Sequence, residues 1–122
     1  MTPLQIMAQH AAEGKFALQC CRDCDTAQYP PRELCHVCLS DRLDWQMTTS
    51  RSGQVLAVTT LHHSHDPVFR HRLPITVGLV QLDAGPVAVC FLDAQCRADD
   101  PVIITVELDA ASRPVLFASP LH

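Results

Sequence analysis

Aromatic residues and positive charges are both scarce in this chain of 122 residues. Phenylalanine, tyrosine and tryptophan make up 5% of the sequence, and nine lysines and arginines stand against thirteen aspartates and glutamates. Modules that bind single-stranded nucleic acid combine stacked aromatic rings with a basic groove. The composition therefore disfavours nucleic acid as a partner.

Long apolar runs are also missing, because no stretch approaches the roughly 18 apolar residues that indicate a membrane-spanning helix. The segment MTPLQIMAQHAAEGK at the beginning lacks the basic start and apolar run of a secretory leader. We therefore expect a cytoplasmic protein without membrane contact. In that reducing compartment, paired cysteines are more often metal ligands or redox groups than disulfides.

Cysteine, by contrast, is abundant, and five of the seven cysteines lie in the segment CCRDCDTAQYPPRELCHVC. Cys21 and Cys24 form one C-x-x-C knuckle, and Cys35 and Cys38 form a second one ten residues further on. Such spacing lets a short hairpin bring four sulfurs around one tetrahedral ion. The sequence thus predicts one Zn²⁺ ion held by four thiolates, and a structural role for it, since a catalytic zinc keeps one coordination position open.

The remaining cysteines leave alternatives. Cys20 could replace Cys21 in a C-x-x-x-C pair with Cys24, and His36 lies inside the second knuckle. A redox pair of the thioredoxin type needs a βαβ setting, which the surrounding sequence does not show. Cys90 lies in an apolar run and Cys96 in a polar loop, and no base near either one in the sequence would activate it as a nucleophile.

The pattern of apolar residues predicts a mainly β protein with a short helix at its N-terminus. Thr2 and Pro3 are a typical helix start, and Leu4, Met7, Ala8 and Ala11 would form its apolar face. This helix could pack on its own chain or on a partner. Five strands are predicted at 54–62, 75–82, 87–92, 102–108 and 115–118, which suggests a small five-stranded barrel. We divide the chain into a helix (1–15), a zinc ribbon (16–47) and a barrel domain (48–122).

Two polar clusters follow the first strand of the barrel. His62, His63 and His65 could form a second metal site, but we interpret them as a solvated strand end, because clustered histidines without a distant fourth ligand rarely close a metal shell. Arg70 and Arg72 form the densest basic patch and could contact phosphate groups of a ligand.

Taken together, these features resemble a known family of acyl-CoA-associated proteins with an N-terminal helix, a rubredoxin-like zinc ribbon and a C-terminal OB-fold. The resemblance rests on FALQCCRDC at 16–24, QYPPR at 28–32, CHVCL at 35–39 and SGQV at 52–55, and on the stretches 73–86 and 113–117. The family's metal positions carry over to the two C-x-x-C knuckles.

The resemblance implies an accessory subunit without catalytic residues of its own, bound to a thiolase-like enzyme of acyl-CoA and lipid metabolism. It also implies that CoA or acyl-CoA is a ligand to which the OB-fold contributes. The stiff segment Tyr29, Pro30, Pro31 and Arg32 is our candidate for the surface that contacts the partner enzyme. A nucleic-acid-binding module is the alternative, because both zinc ribbons and OB-folds serve that purpose widely.

Overall fold

A computed structural model describes residues 1–62 and 75–121 of the chain. One helix, α1 (Pro3–Ala12), precedes eight strands. The strands are β1 (Phe16–Cys21), β2 (Ala27–Gln28), β3 (Leu43–Thr48), β4 (Arg51–Leu61), β5 (Ile75–Leu82), β6 (Val87–Leu92), β7 (Pro101–Leu108) and β8 (Pro114–Pro120). The mainly β architecture predicted from the sequence is confirmed.

Helix α1 begins at a reciprocal cap. The backbone N–H of Gln5 donates to the Thr2 hydroxyl over 3.2 Å, and the Thr2 N–H donates to the Gln5 side chain over 2.8 Å. Met7 and Ala11 are buried, but Leu4, predicted to lie on the same apolar face, is 40% exposed. The helix packs on strands of its own chain, and no helix in the described part of the chain is long and apolar enough to cross a membrane.

Strands β2, β1 and β3 form an antiparallel three-stranded sheet in that order. The pairing of β1 with β3 runs from Phe16 opposite Thr48 to Cys21 opposite Leu43. The sequence predicted only a hairpin here, because β2 is two residues long and β3 is mostly exposed, so neither has the apolar pattern of a core strand. This sheet delivers Cys21 to the position where the second knuckle meets the first.

Strands β4, β5, β6, β8 and β7 close a barrel in that order. Every pairing is antiparallel except the one between β6 and β8, where Phe91 lies opposite Phe117 in parallel register. A five-stranded barrel with one such closing contact is the OB-fold. The five barrel strands predicted from the sequence are confirmed, with ends that differ by up to three residues.

One continuous core joins the helix, the ribbon and the barrel. Met7 of α1 and both Phe16 and Leu18 of β1 lie in the same buried cluster as Val55 and Val80 of the barrel. Arg51, the first residue of the barrel, also places its guanidinium 5.5 Å from the centre of the Phe16 ring. The ribbon is therefore held in a fixed orientation on the barrel, while the domain boundaries given above stay a prediction.

Gly78 lets β4 and β5 approach closely beside the bulge in β4. A Cβ atom at this position would lie 2.2 Å from the carbonyl oxygen of Ala57 and 2.7 Å from the side chain of Leu92.

We expect Gly78→Ala to lower the free energy of unfolding by at least about 2 kcal/mol, because backbone atoms must move to admit the methyl group. Urea denaturation measures the change, with Thr105→Ala on the exposed face of β7 as the control; equal stability of the two variants would contradict the prediction.

Candidate metal centre and its surroundings

The two cysteine knuckles have the same backbone geometry. The N–H of Asp25 donates to the carbonyl of Cys21, and the N–H of Leu39 donates to the carbonyl of Cys35, both over 3.0 Å. Asp25 and Leu39 also share left-handed backbone conformations, with φ of 61° and 62°. Each knuckle thus turns its chain over the first sulfur of its pair, as the C-x-x-C spacing predicts.

The four thiols of Cys21, Cys24, Cys35 and Cys38 converge, with all sulfur atoms within 4.8 Å of one another. The sulfur of Cys21 lies 3.5 Å from that of Cys38, and the sulfur of Cys24 lies 3.5 Å from that of Cys35. Four sulfurs bound to one tetrahedral Zn²⁺ ion lie about 3.8 Å apart. The cluster therefore fits a zinc ion bound by these four residues, which would act as a cross-link between the knuckles.

Ionisation of the cluster gives a second test of the fit. Backbone N–H groups of Cys38 and Val37 lower the pKa of Cys35, and the Val37 nitrogen lies 3.4 Å from that sulfur. The N–H of Ser40 has the largest single effect on Cys38 and favours its thiolate, but hydrogen bonds with the other three thiols and loss of water together outweigh it and raise the pKa of Cys38 to about 12. Crowding of the thiols therefore opposes ionisation of Cys38, and a divalent cation at their centre would favour it instead.

Neither alternative ligand joins the cluster. Cys20 is half-buried outside it, and burial raises the pKa of its thiol. The ring of His36 instead lies with Nδ1 2.7 Å from the side-chain oxygen of Gln28. The structure therefore brings together the four cysteines that the spacing predicts.

A buried pair of glutamines behind the second knuckle was missed by the sequence analysis. Gln28 donates to the side-chain oxygen of Gln19 over 2.6 Å, and that same oxygen accepts the backbone N–H of Arg32 over 2.8 Å. Gln19 in turn donates to the carbonyl of Arg32, while the side-chain oxygen of Gln28 accepts the backbone N–H of His36 over 3.0 Å. One signal for this network was available: a glutamine inside the otherwise apolar and thiol-rich run FALQCC.

The segment predicted to contact a partner leaves the ribbon at the end of this network. Pro30 and Arg32 are exposed and Pro31 is half-buried, whereas Tyr29 packs against the core of the barrel. Burial raises the pKa of the Tyr29 hydroxyl, and the neighbouring Cys90 adds to the effect. Tyr29 therefore anchors the loop, and only part of the predicted surface faces solvent.

The other candidate residues are buried, exposed or outside the described part of the chain. Burial raises the pKa of Cys90 to about 12, and Cys96 is also buried although its loop is polar in sequence. His62 is exposed at the end of β4. The remaining candidates lie outside the described residues: His63, His65, Arg70 and Arg72.

The outer face of β5 and β6 is the surface that OB-folds commonly use for nucleic acids. Here Leu79 of β5 lies directly opposite Val89 of β6, and these side chains are 43% and 64% exposed. Neither strand contains a charged residue, and Phe91 at the end of the row stacks on Phe117 at 5.2 Å between ring centres. This face is therefore mainly aliphatic and uncharged.

Comparison with protein families covers both parts of this architecture. Residues 8–44 match the model of the ChsH2 rubredoxin-like zinc ribbon domain, and residues 47–110 match that of the ChsH2 C-terminal OB-fold domain. The chain belongs to the ChsH2 family. Membership confirms the resemblance drawn from the cysteine knuckles and the strand pattern, and the ChsH2 zinc ribbon is the domain that contains the four-sulfur cluster. No curated protein matches the sequence.

Two solved structures share the ChsH2 fold seen here. A chain of the Ltp2-ChsH2(DUF35) aldolase is 24% identical with a TM-score of 0.75, over 95% of this chain and 92% of that one. A DUF35-family protein of unknown function from Sulfolobus solfataricus is 10% identical with a TM-score of 0.65, over 96% of this chain and 84% of that one. At these identities the likeness establishes the fold, including the placement of the ribbon beside the barrel.

Replacing a cluster thiol should unfold the ribbon. We expect Cys35→Ser to lose the zinc ion and to lower the melting temperature, because metal binding energy in such sites is also folding energy. Zinc per chain, measured by atomic absorption, and thermal melting followed by circular dichroism check this. Cys20→Ser is the matched control and should retain one zinc per chain. Full zinc content in Cys35→Ser, or loss of zinc in Cys20→Ser, would contradict the ligand set.

Removing the side-chain amide of Gln28 should destabilise the ribbon without removing a metal ligand. Gln28→Leu leaves the His36 backbone N–H without its present partner and removes one of the two donors to the Gln19 oxygen, and an unsatisfied buried polar group costs about 1–3 kcal/mol. Chemical denaturation measures the loss. The same substitution at the exposed Gln46 of β3 is the control, with an expected change within about 0.5 kcal/mol. Equal stabilities would show that the network contributes nothing.

Proposed function

We propose that this chain is an accessory, non-catalytic subunit of a thiolase-like enzyme complex that handles acyl-CoA in lipid metabolism. One observation carries the proposal: nearly the whole chain superimposes on a chain of the Ltp2-ChsH2(DUF35) aldolase, an assembly of two named proteins. The partner we propose is accordingly an Ltp2-related enzyme of the same organism. Family membership supports this choice, since the ribbon and the barrel both match ChsH2 models.

The thiols outside the zinc cluster support a role without covalent catalysis. Burial raises the pKa of Cys20, Cys90 and Cys96, so these groups are protonated near neutral pH. A nucleophilic cysteine needs the opposite shift, from a neighbouring base or positive charge. Within residues 1–62 and 75–121, no histidine forms a hydrogen bond with a thiol or hydroxyl that it could activate. We therefore assign the chemistry of the complex to the partner enzyme.

The zinc ribbon supplies a rigid surface in this proposal. The cluster fixes both knuckles, the glutamine pair fixes the loop between them, and Tyr29 fixes that loop on the barrel. Ordering a surface before it meets a partner reduces the conformational entropy lost on binding. The exposed Pro30 and Arg32 are then available to the partner enzyme at little entropic cost.

The ligand part of the proposal concerns CoA. Arg70 and Arg72, in the segment between β4 and β5, are the residues we assign to the CoA phosphates, because guanidinium groups bind phosphate through paired hydrogen bonds. The support for this assignment is the family resemblance and the basic pattern RHR at 70–72. The barrel would thus add to an acyl-CoA site whose reacting groups belong to the partner.

The aliphatic face of β5 and β6 argues against a nucleic-acid-binding module. Single-strand binders place aromatic rings and basic groups along this face of an OB-fold. Leu79 and Val89 occupy it here, and the strands contribute no positive charge. Protein or acyl-CoA contacts are more consistent with this chemistry.

Co-expression with an Ltp2-related enzyme of the same organism tests the proposal. We expect the two chains to elute together from a sizing column, and we expect zinc removal by a chelator to abolish co-elution because the ribbon unfolds. Titration of the isolated chain with single-stranded DNA at low salt is the control, with no binding expected. Separate elution of the zinc-loaded chain would contradict the proposal, and DNA affinity that falls steeply with salt would favour the nucleic-acid alternative.

A further inference from the structure

The two knuckles share a backbone but present different surfaces. In the first knuckle, Asp23 follows Cys21 by two residues and Asp25 follows it by four. Val37 and Leu39 occupy the same two positions after Cys35. Metal binding needs only the shared turn and the sulfurs, so it does not explain why one knuckle is acidic and the other apolar.

Three large apolar side chains on the second knuckle are exposed. Leu34, Val37 and Leu39, which we call the second-knuckle surface, are 45%, 60% and 71% exposed. They lie within six consecutive residues of a turn that is closed by the Cys35 N–H donating to the Ser40 carbonyl over 2.9 Å. None of the three belongs to the buried core. Their apolar area therefore contributes little to folding and is available to a partner.

Besides its exposed apolar side chain, Leu39 has a backbone conformation that is unfavourable for folding. Its φ of 62° lies in the left-handed region, which is less favourable for a residue such as leucine than for glycine or asparagine. Asp25 tolerates the equivalent position better, because its short polar side chain can form local hydrogen bonds. Burial of Leu39 on another molecule would offset both its exposure and its backbone conformation.

The charges around this surface are negative and partly unbalanced. The ribbon at 16–47 contains three arginines and five carboxylates, and Zn²⁺ with four thiolates would add two further negative charges. Arg22 pairs with Asp44, and Arg42 pairs with Asp23. Among the described residues, no ion pair includes the exposed carboxylates of Asp25, Glu33 and Asp41 or the exposed Arg32.

We infer that the second-knuckle surface inserts into an apolar hollow on the partner enzyme, and that lysine or arginine side chains border this hollow. The inference rests on the proposed function and adds to it the place of contact and the chemistry of the partner. Apolar burial would supply the affinity, while Glu33 and Asp41 would steer the encounter. This inference places the centre of the interface on the second knuckle, next to the Tyr29–Arg32 loop that the sequence suggested.

Charge also disfavours a second copy of this chain as the occupant. Two second-knuckle surfaces in contact would bring like carboxylates and two anionic zinc centres together, and such repulsion opposes association. Nucleic acid is excluded by the same negative field. A basic-rimmed protein hollow is the occupant whose charge complements the ribbon.

Leu39→Asn tests the contact without weakening the fold. Asparagine tolerates the left-handed conformation, so this variant should keep its zinc and melt at the same or a higher temperature than wild type. Its affinity for the Ltp2-related enzyme, measured by biolayer interferometry, should fall at least about tenfold. Leu121→Asn, at a leucine that is 48% exposed near the C-terminus, is the matched control with unchanged affinity expected.

The charged rim is tested separately by Glu33→Gln combined with Asp41→Asn. This variant should associate more slowly than wild type at low salt, and its association rate should depend less on ionic strength. Unchanged association kinetics would overturn the electrostatic part of the inference.

The oligomeric state of the isolated chain, measured by analytical ultracentrifugation, tests a second copy as the occupant. A dimer that Leu39→Asn dissociates would identify a second copy as the occupant and overturn the inference.

The results separate the inference from the proposed function. If the wild-type chain binds the enzyme and Leu39→Asn binds it equally well, the second-knuckle surface is not the contact, although the proposed function stands. If the folded wild-type chain does not bind the enzyme, both are overturned. Weaker binding by Leu39→Asn alone, with Leu121→Asn unaffected, supports both.

Discussion

Convergence of four cysteine thiols on one point is the constraint on which the rest of the ribbon depends. Phe16 and Leu18, the large buried apolar side chains of β1, belong to the core shared with the barrel, while β3 is mostly exposed, so the knuckle end of the ribbon has little hydrophobic core of its own. A zinc ion at the cluster would hold this end of the ribbon together with four strong bonds. Both knuckles, the loop between them and the exposed surface of the second knuckle are positioned by this one centre.

The ribbon and the barrel share a hydrophobic core through residues of the N-terminal half of the chain. Phe16 and Leu18 of β1 extend the barrel core into the ribbon, and Tyr29 returns from the far end of the ribbon to the same core. The loop that connects the two knuckles is thus held at both ends by the cysteine cluster and near its middle by Tyr29 on the barrel core. Such double attachment explains how a small sheet can present a surface with a defined orientation to another protein.

Sequence patterns predicted the features that local chemistry determines. The convergence of the four cysteines followed from C-x-x-C spacing, the helix start from Thr2 and Pro3, and the barrel strands from apolar runs between turn residues. Features that depend on distant residues were not accessible in this way. Gln19 and Gln28 are ordinary polar residues until pairing of β1 with β2 places them opposite each other, and Tyr29 could be recognised as an anchor only after the barrel was folded.

Closure of the barrel has a consequence for how this chain avoids unwanted association. A closed barrel has no edge strands, so the edges of β-sheet in the described part of the chain belong to the ribbon alone. One of them, β2, is only two residues long, and the other, β3, carries the ion-paired carboxylate of Asp44. Neither is a good template for adding a strand from another molecule. The chain can therefore keep apolar side chains exposed for the partner proposed above while its backbone offers little opportunity for sheet-to-sheet aggregation.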